Sequence, residues 1–245
     1  MCAETNDQEN AMTDNITALV TGANRGLGRH LAAELLVRGA KVYAAARNPE
    51  TVDLPGAIAI QLDITDPESV RRAAAVAGDV TVLVNNAGIS TRAPLLTGPI
   101  GDIRAEMETH YFGTLNVSRE FVPVIESNGG GAILNILSVL SWYHAPTSGA
   151  YSAAKAAEWA LTDALRTELA PRGIHVAGLH VGYMDTDMVS YIPAEQKTDP
   201  ALVAAQAVAG LLDGQPEILA DEWSRQVKAQ LSTANDGGSG AQVRA

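Results

Sequence analysis

Cysteine is almost missing from this chain of 245 residues: Cys2 stands alone, so no intrachain disulfide can form and a reducing, cytoplasmic setting is expected. Basic charge is scarce too. Lysine and arginine total 17 against 28 aspartates and glutamates, a net charge of −11, and no basic stripe offers itself to a phosphate backbone, so no nucleic-acid partner is expected. No apolar run reaches the roughly 18–20 residues of a membrane span, which argues against a membrane partner. The first ten residues are polar and acidic, wrong for a signal or transit peptide. No cysteine/histidine cluster is present to ligate zinc, which disfavours metal-dependent alcohol chemistry and gives no metal site. Aromatic residues make up only 4% of the chain, so the place of each one is informative.

What is present is a large apolar fraction, 47% hydrophobic against 18% charged, enough for one sizeable core. Residues 1–14 and 235–245 read as flexible tails around a single domain over 15–234, and Met12, just before the first strand, is a candidate alternative start. Between the tails, short apolar runs at 17–21, 41–46, 57–62, 80–85, 132–138, 174–180 and 217–220 alternate with helical patterns beginning near Gly26, Pro67, Asp102, Tyr151, Asp199 and Asp221. Several runs are apolar throughout, as expected where helices cover both faces of a parallel sheet. The pattern predicts an α/β, doubly wound, Rossmann-type fold with its ligand beyond the carboxyl ends of the strands.

The first strand runs into Thr21-Gly22-Ala23-Asn24-Arg25-Gly26-Leu27-Gly28, which opens the first helix. Glycines there let the chain turn tightly and let a diphosphate approach the free N–H groups of the helix N-terminus. The second strand ends at Arg47 with no carboxylate before Glu50, where an acidic residue would hold the ribose 2′-hydroxyl of NAD. Arg47 and Arg25 could instead flank a 2′-phosphate, which predicts NADP(H) in preference to NAD(H). Asp63, in Leu62-Asp63-Ile64, is a candidate acceptor for the adenine amino group, with Asp66 before Pro67 the better helix cap. Asn86, Ala87 and Gly88, ending the fourth strand, suit a backbone that passes close to a cofactor.

Tyr151 and Lys155 lie four residues apart, one turn along a helix face. An ammonium beside a phenol favours the phenolate and so makes the tyrosine a usable proton donor and acceptor. Ser138, on a separate strand end, could bind the oxygen that receives the proton.

Together the three-gap glycine loop, the Asn-Asn-Ala-Gly run and the Ser…Tyr-x-x-x-Lys set make the chain resemble the short-chain dehydrogenase/reductases over about residues 17–233. The resemblance implies a seven-stranded parallel sheet, a nicotinamide cofactor and a carbonyl or alcohol substrate. It implies Tyr151 as proton donor or acceptor, Lys155 as the group that lowers its pKa and holds the nicotinamide ribose, and Ser138 on the substrate oxygen. Gly182 and Thr186 would lie beside the nicotinamide and phosphates. A homodimer or homotetramer is implied, the dimer through helices near 102–127 and 151–170.

Two positions depart from the family pattern. His110 stands where an asparagine usually helps connect the lysine to solvent, and imidazole can also shuttle protons. Val181-Gly182 replaces a common Pro-Gly, and without proline's fixed φ the loop should be freer. Trp142 and Tyr143, between Ser138 and Tyr151, are candidates for the substrate pocket together with Met184 and Met188, which suggests a hydrophobic or aryl carbonyl. Packing against the substrate lid or a neighbouring subunit is the alternative for the two rings. An NADP-binding sensor without turnover is the alternative function.

Overall fold

The computed structural model describes residues 16–145 and 147–231; the expected tails at 1–14 and 235–245, and Met12, lie outside the described residues. Strands β1 (Thr17–Thr21), β2 (Lys41–Ala46), β3 (Ile58–Gln61), β4 (Val82–Asn85), β5 (Gly131–Ile136), β6 (Ile174–His180) and β7 (Glu217–Leu219) form one sheet in the order β3-β2-β1-β4-β5-β6-β7. Every neighbouring pair is parallel.

The unbroken apolar runs follow from burial on both faces. In β1, Ala18 and Val20 join a core with Leu27, Leu31 and Leu35 of α1 (Gly26–Val37) and Val203, Ala207 and Leu211 of α6 (Pro200–Leu212). Leu19 points the other way, into a second core with Val70 of α2 (Pro67–Val76), Phe121 of α4 (Thr114–Ser127) and Leu165 of α5 (Gly149–Leu169). Alternate side chains leave opposite faces of a strand, so both registers must be apolar here. The edge strand β3 keeps less of this pattern, and Ile58 is exposed.

Helix starts obey simple chemistry. Asp66 accepts the Glu68 N–H at 3.0 Å at the head of α2, and Asp199 accepts the Ala201 N–H at 2.8 Å at the head of α6, each followed by proline. The helix expected near Asp102 is not uniform. It runs as α3 (Ile100–Met107), a π-helical stretch over Glu108–Gly113, and then α4. Single π turns of this kind tend to occur at functional sites, and His110 sits inside this one. The described residues end with α7 (Glu222–Leu231).

Candidate active site

The carboxyl ends of β1, β4, β5 and β6 open onto a cavity of about 1110 Å³. Gly22, Asn24, Arg25, Gly26, Leu27, Gly28, Arg47, Asp63, Ile64, Asn86, Ala87, Gly88, Gly182 and Thr186 all line it, as do Ser138, Tyr151 and Lys155. Residues far apart in sequence are therefore brought to one place.

The glycine loop has the geometry of an anion cradle. Gly22 and Gly26 adopt φ of +66° and +53°, a region costly for residues with a Cβ. A Cβ on Gly28 would lie 2.3 Å from the Gly22 carbonyl oxygen, so glycine alone lets α1 pack this closely. Arg25 occupies the N-cap of α1 but makes no side-chain capping bond, so among the described residues the N-cap side chain takes none of the first-turn N–H groups of a helix whose Gly26, Leu27 and Gly28 line the cavity. The Asn86 amide donates to the Thr21 carbonyl at 2.8 Å and so joins the ends of β4 and β1. Near the rim, Arg47 is exposed and Arg25 pairs with Asp187 at 3.3 Å, both side chains open to solvent. Asp63 spends one oxygen on the backbone and hydroxyl of Thr65, at 3.0 and 2.7 Å. These features fit a dinucleotide.

Beyond the loop stand Ser138, Tyr151 and Lys155. Ser138 follows β5, its hydroxyl accepting the Leu140 N–H at 3.1 Å. Tyr151 and Lys155 come from the first turns of α5, the ammonium 5.9 Å from the phenol ring. Burial pushes the Tyr151 pKa up, the Lys155 charge and the Ser138 hydroxyl pull it down, and the net direction is upward. The expected lowering by lysine is thus present but smaller than the effect of burial.

Behind the tyrosine lies a buried polar layer that reading along the sequence does not reveal. Lys155 Nζ donates to the Ile136 carbonyl at 2.7 Å and to Glu158 Oε2 at 2.6 Å. His110 packs edge-on to Tyr151 with ring centroids 5.2 Å apart. Its Nε2 lies 2.9 Å from the Ile89 carbonyl, so that nitrogen carries the proton. The ring is sandwiched between Glu106, 3.3 Å from Nε2, and Glu158, 3.8 Å from Nδ1. Burial raises the Glu106 pKa, but hydrogen bonds from His110 and Thr91 outweigh this and hold it below the usual carboxylate value. Gly88 makes room for the imidazole, because a Cβ there would come within 2.7 Å of His110 Cε1. One signal for Glu158 was available: it continues the buried face of α5 set by Ala154, Lys155, Leu161 and Thr162.

The pocket walls differ from expectation. Met184 and Met188 line the cavity, with Tyr183, Tyr191 and Trp223 beside them. Trp142 and Tyr143 are not among its lining residues. Trp142 stacks on His180 at 3.7 Å, meets Trp159 edge-on and lies under Lys228. Tyr143 packs against Trp223, 6.1 Å between centroids. Both rings belong to a small cluster with Val139, Leu140 and Val227 under α7, where apolar burial outcompetes exposure to the cavity. The Val181-Gly182 loop is also tied down despite lacking proline. The Gly182 N–H donates to the Asp221 carboxylate, which also caps α7 through the Ser224 N–H at 2.7 Å. A Cβ on Gly182 would lie 2.6 Å from the Trp223 ring.

Comparison with known proteins points the same way. Residues 16–197 match the family model described as short chain dehydrogenase. The 3-oxoacyl-acyl-carrier-protein reductase FabG of Salmonella typhimurium is 34% identical over 211 residues, which span 82% of this chain and 85% of that protein. A short chain dehydrogenase from Burkholderia cenocepacia, solved in complex with NADP, superposes with a TM-score of 0.87 at 38% identity, covering 92% of this chain and 96% of its own. A gluconate 5-dehydrogenase from the same organism, solved with NADP and tartrate, gives a TM-score of 0.80 at 28% identity, covering 87% and 96%.

Proposed function

Because the chain belongs to the short-chain dehydrogenase family, we propose that it interconverts a hydrophobic or aryl ketone or aldehyde with its alcohol, using NADP(H) in preference to NAD(H). The observation that carries this reading is the meeting of Ser138, Tyr151 and Lys155 with the uncapped N-terminus of α1 on one cavity. Relatives solved with NADP support a nicotinamide cofactor.

The glycine loop and the first turn of α1 would hold the diphosphate, Asp63 and the Asn86–Gly88 backbone the adenosine side, and Lys155, Gly182 and Thr186 the nicotinamide side. When bound, the dinucleotide supplies or accepts the hydride. The chain's own groups do the rest. The Ser138 hydroxyl donates to the substrate oxygen and fixes it near Tyr151. In reduction the Tyr151 phenol releases its proton to that oxygen, and in oxidation the phenolate takes it back. Lys155 stabilises the phenolate that forms. His110, in place of the family asparagine, would help connect Lys155 to solvent, since imidazole can donate, accept and shuttle protons.

Arg25 and Arg47 at the rim, with no carboxylate at the end of β2, support the NADP preference. The exposed Arg25–Asp187 pair is worth little, so exchanging Asp187 for a phosphate costs little. Thioether and aromatic walls from Met184, Met188, Tyr183, Tyr191 and Trp223 support an apolar substrate over a polyol. The same reading includes a cytoplasmic homodimer or homotetramer, the dimer packed through α3–α5, where Phe112 is exposed; light scattering that reports a monomer would remove both.

The deciding experiment is cofactor oxidation by purified protein over aryl ketones, aldehydes and diketones, with NADPH and NADH in parallel and Tyr151→Phe as control. The expected result is NADPH-dependent turnover that the variant loses. Tight NADPH binding without turnover on any carbonyl would favour a sensor, and equal turnover with NADH would end the cofactor preference.

A further inference from the structure

We propose that Glu158 is a positioning residue whose buried carboxylate is the counter-ion that keeps Lys155 protonated and directed at the cavity. The inference rests on the reading of Lys155 as the tyrosine's partner, but its physical content does not depend on turnover.

Lys155 is 4% exposed and Glu158 1%. An ammonium buried this deeply tends to give up its proton unless an anion faces it. Two of its three N–H donors are placed, one on the Ile136 carbonyl and one on Glu158. A carbonyl alone satisfies geometry but not charge. Glu158 supplies the charge, and it is itself held from a different helix, since the Thr114 hydroxyl of α4 donates to its other oxygen at 2.9 Å. The carboxylate is therefore clamped between α4 and α5 and cannot swing away from the ammonium without losing a second bond.

The groups facing this pair come from four elements. Tyr151 shares α5 with it, Ser138 follows β5, His110 lies in the π turn with Nδ1 3.8 Å from Glu158, and Glu106 lies beyond the imidazole on α3. Burial works against the Lys155 charge, but Glu158 first, then Tyr151 and more weakly Glu106, outweigh it and raise the pKa above the ordinary lysine value. Without Glu158, the other acid that acts on Lys155 is Glu106, which lies on the far side of the His110 ring from Glu158. A neutral Lys155 would offer no positive charge to the Tyr151 phenolate.

The chain has four lysines, Lys41, Lys155, Lys197 and Lys228, so carbon-13 NMR of lysine Cε resolves each one, with Lys155→Met assigning the signal of interest. In the natural chain Lys155 should stay protonated to strongly alkaline pH. In Glu158→Gln its titration should move down by about two pH units, and any measured turnover should lose its alkaline limb over the same range. Glu158→Ala carries the same test if the glutamine variant does not fold. A Lys155 signal that titrates at the same or higher pH in the folded variants overturns the inference. Because the NMR titration needs no substrate, failure of the reductase reading leaves it fully interpretable. Conversely, turnover lost in Tyr151→Phe alongside an unmoved Lys155 titration would sink this inference alone.

Discussion

Lowering the pH from about 7.5 to about 5 should cost the folded protein about 2 kcal/mol through His180 alone. This histidine ends β6 and is 1% exposed, its Nδ1 3.2 Å from the Ser138 carbonyl. Trp142 stacks on it, inclined by 18°. Burial drives its pKa down from 6.5 to about 3; the Ser138 carbonyl resists this, while Lys228, Lys155 and Arg166 add to it. Between those two values the unfolded chain binds a proton that the folded one refuses. Stability is therefore complete above about pH 6.5 and is lost as the pH falls toward about 3. At about pH 5 the unfolded chain gains RT ln(1 + 10^1.5), or about 2 kcal/mol. Urea denaturation of the natural chain and of His180→Asn at both pH values isolates this contribution, since asparagine keeps a donor for Ser138 but does not ionise. The stability drop between the two pH values should be smaller by about 2 kcal/mol in the variant. An equal drop in both proteins, or an NMR titration of folded His180 near pH 6.5, would refute the reasoning.

Arg25→Ala combined with Arg47→Ala should raise the KM for NADPH by about tenfold to a hundredfold, as expected for losing two charge-assisted contacts to one phosphate, while leaving that for NADH nearly unchanged; steady-state kinetics with both cofactors checks it. His110→Asn should keep most activity but shift the pH–rate profile, and an unchanged profile would argue against a proton-relay role. Trp142→Ala should destabilise the fold by about 3 kcal/mol in thermal or urea denaturation with the KM for hydrophobic ketones little changed; the opposite split would return this ring to the substrate pocket.

Much of the fold could be read because its signals are local. The apolar runs of β1, β2, β4 and β6 are continuous because both faces are covered, and Asp66-Pro67 and Asp199-Pro200 announce their helices. The Tyr151–Lys155 spacing needs only a helix to become a shared face. What was not legible depends on partners distant in the chain. Glu106 looks like a solvated acid on a helix until Thr91 is brought beside it, and Glu158 is marked only by its place on the buried face of α5 until Thr114 joins it. The π turn leaves no composition mark, since His110 and Gly113 are buried at spacings an ordinary helix would also allow. Trp142 and Tyr143 sit at the right place in the sequence for a pocket, but nothing local says whether a ring on that loop turns toward Tyr151 or toward α7.

The role of α7 also sets an order in time. Asp221 secures the Gly182 backbone and Trp223 forms part of the cavity wall, yet the glycine loop lies some 200 residues earlier. During synthesis the chain emerges N-terminus first, so the loop, Tyr151 and Lys155 all exist before the part of the cavity wall that Trp223 supplies. A nascent chain halted before α7 would carry Ser138, Tyr151 and Lys155 and still lack Trp223 in the cavity wall. Among the described elements, α7 is therefore the one that completes the cavity wall last.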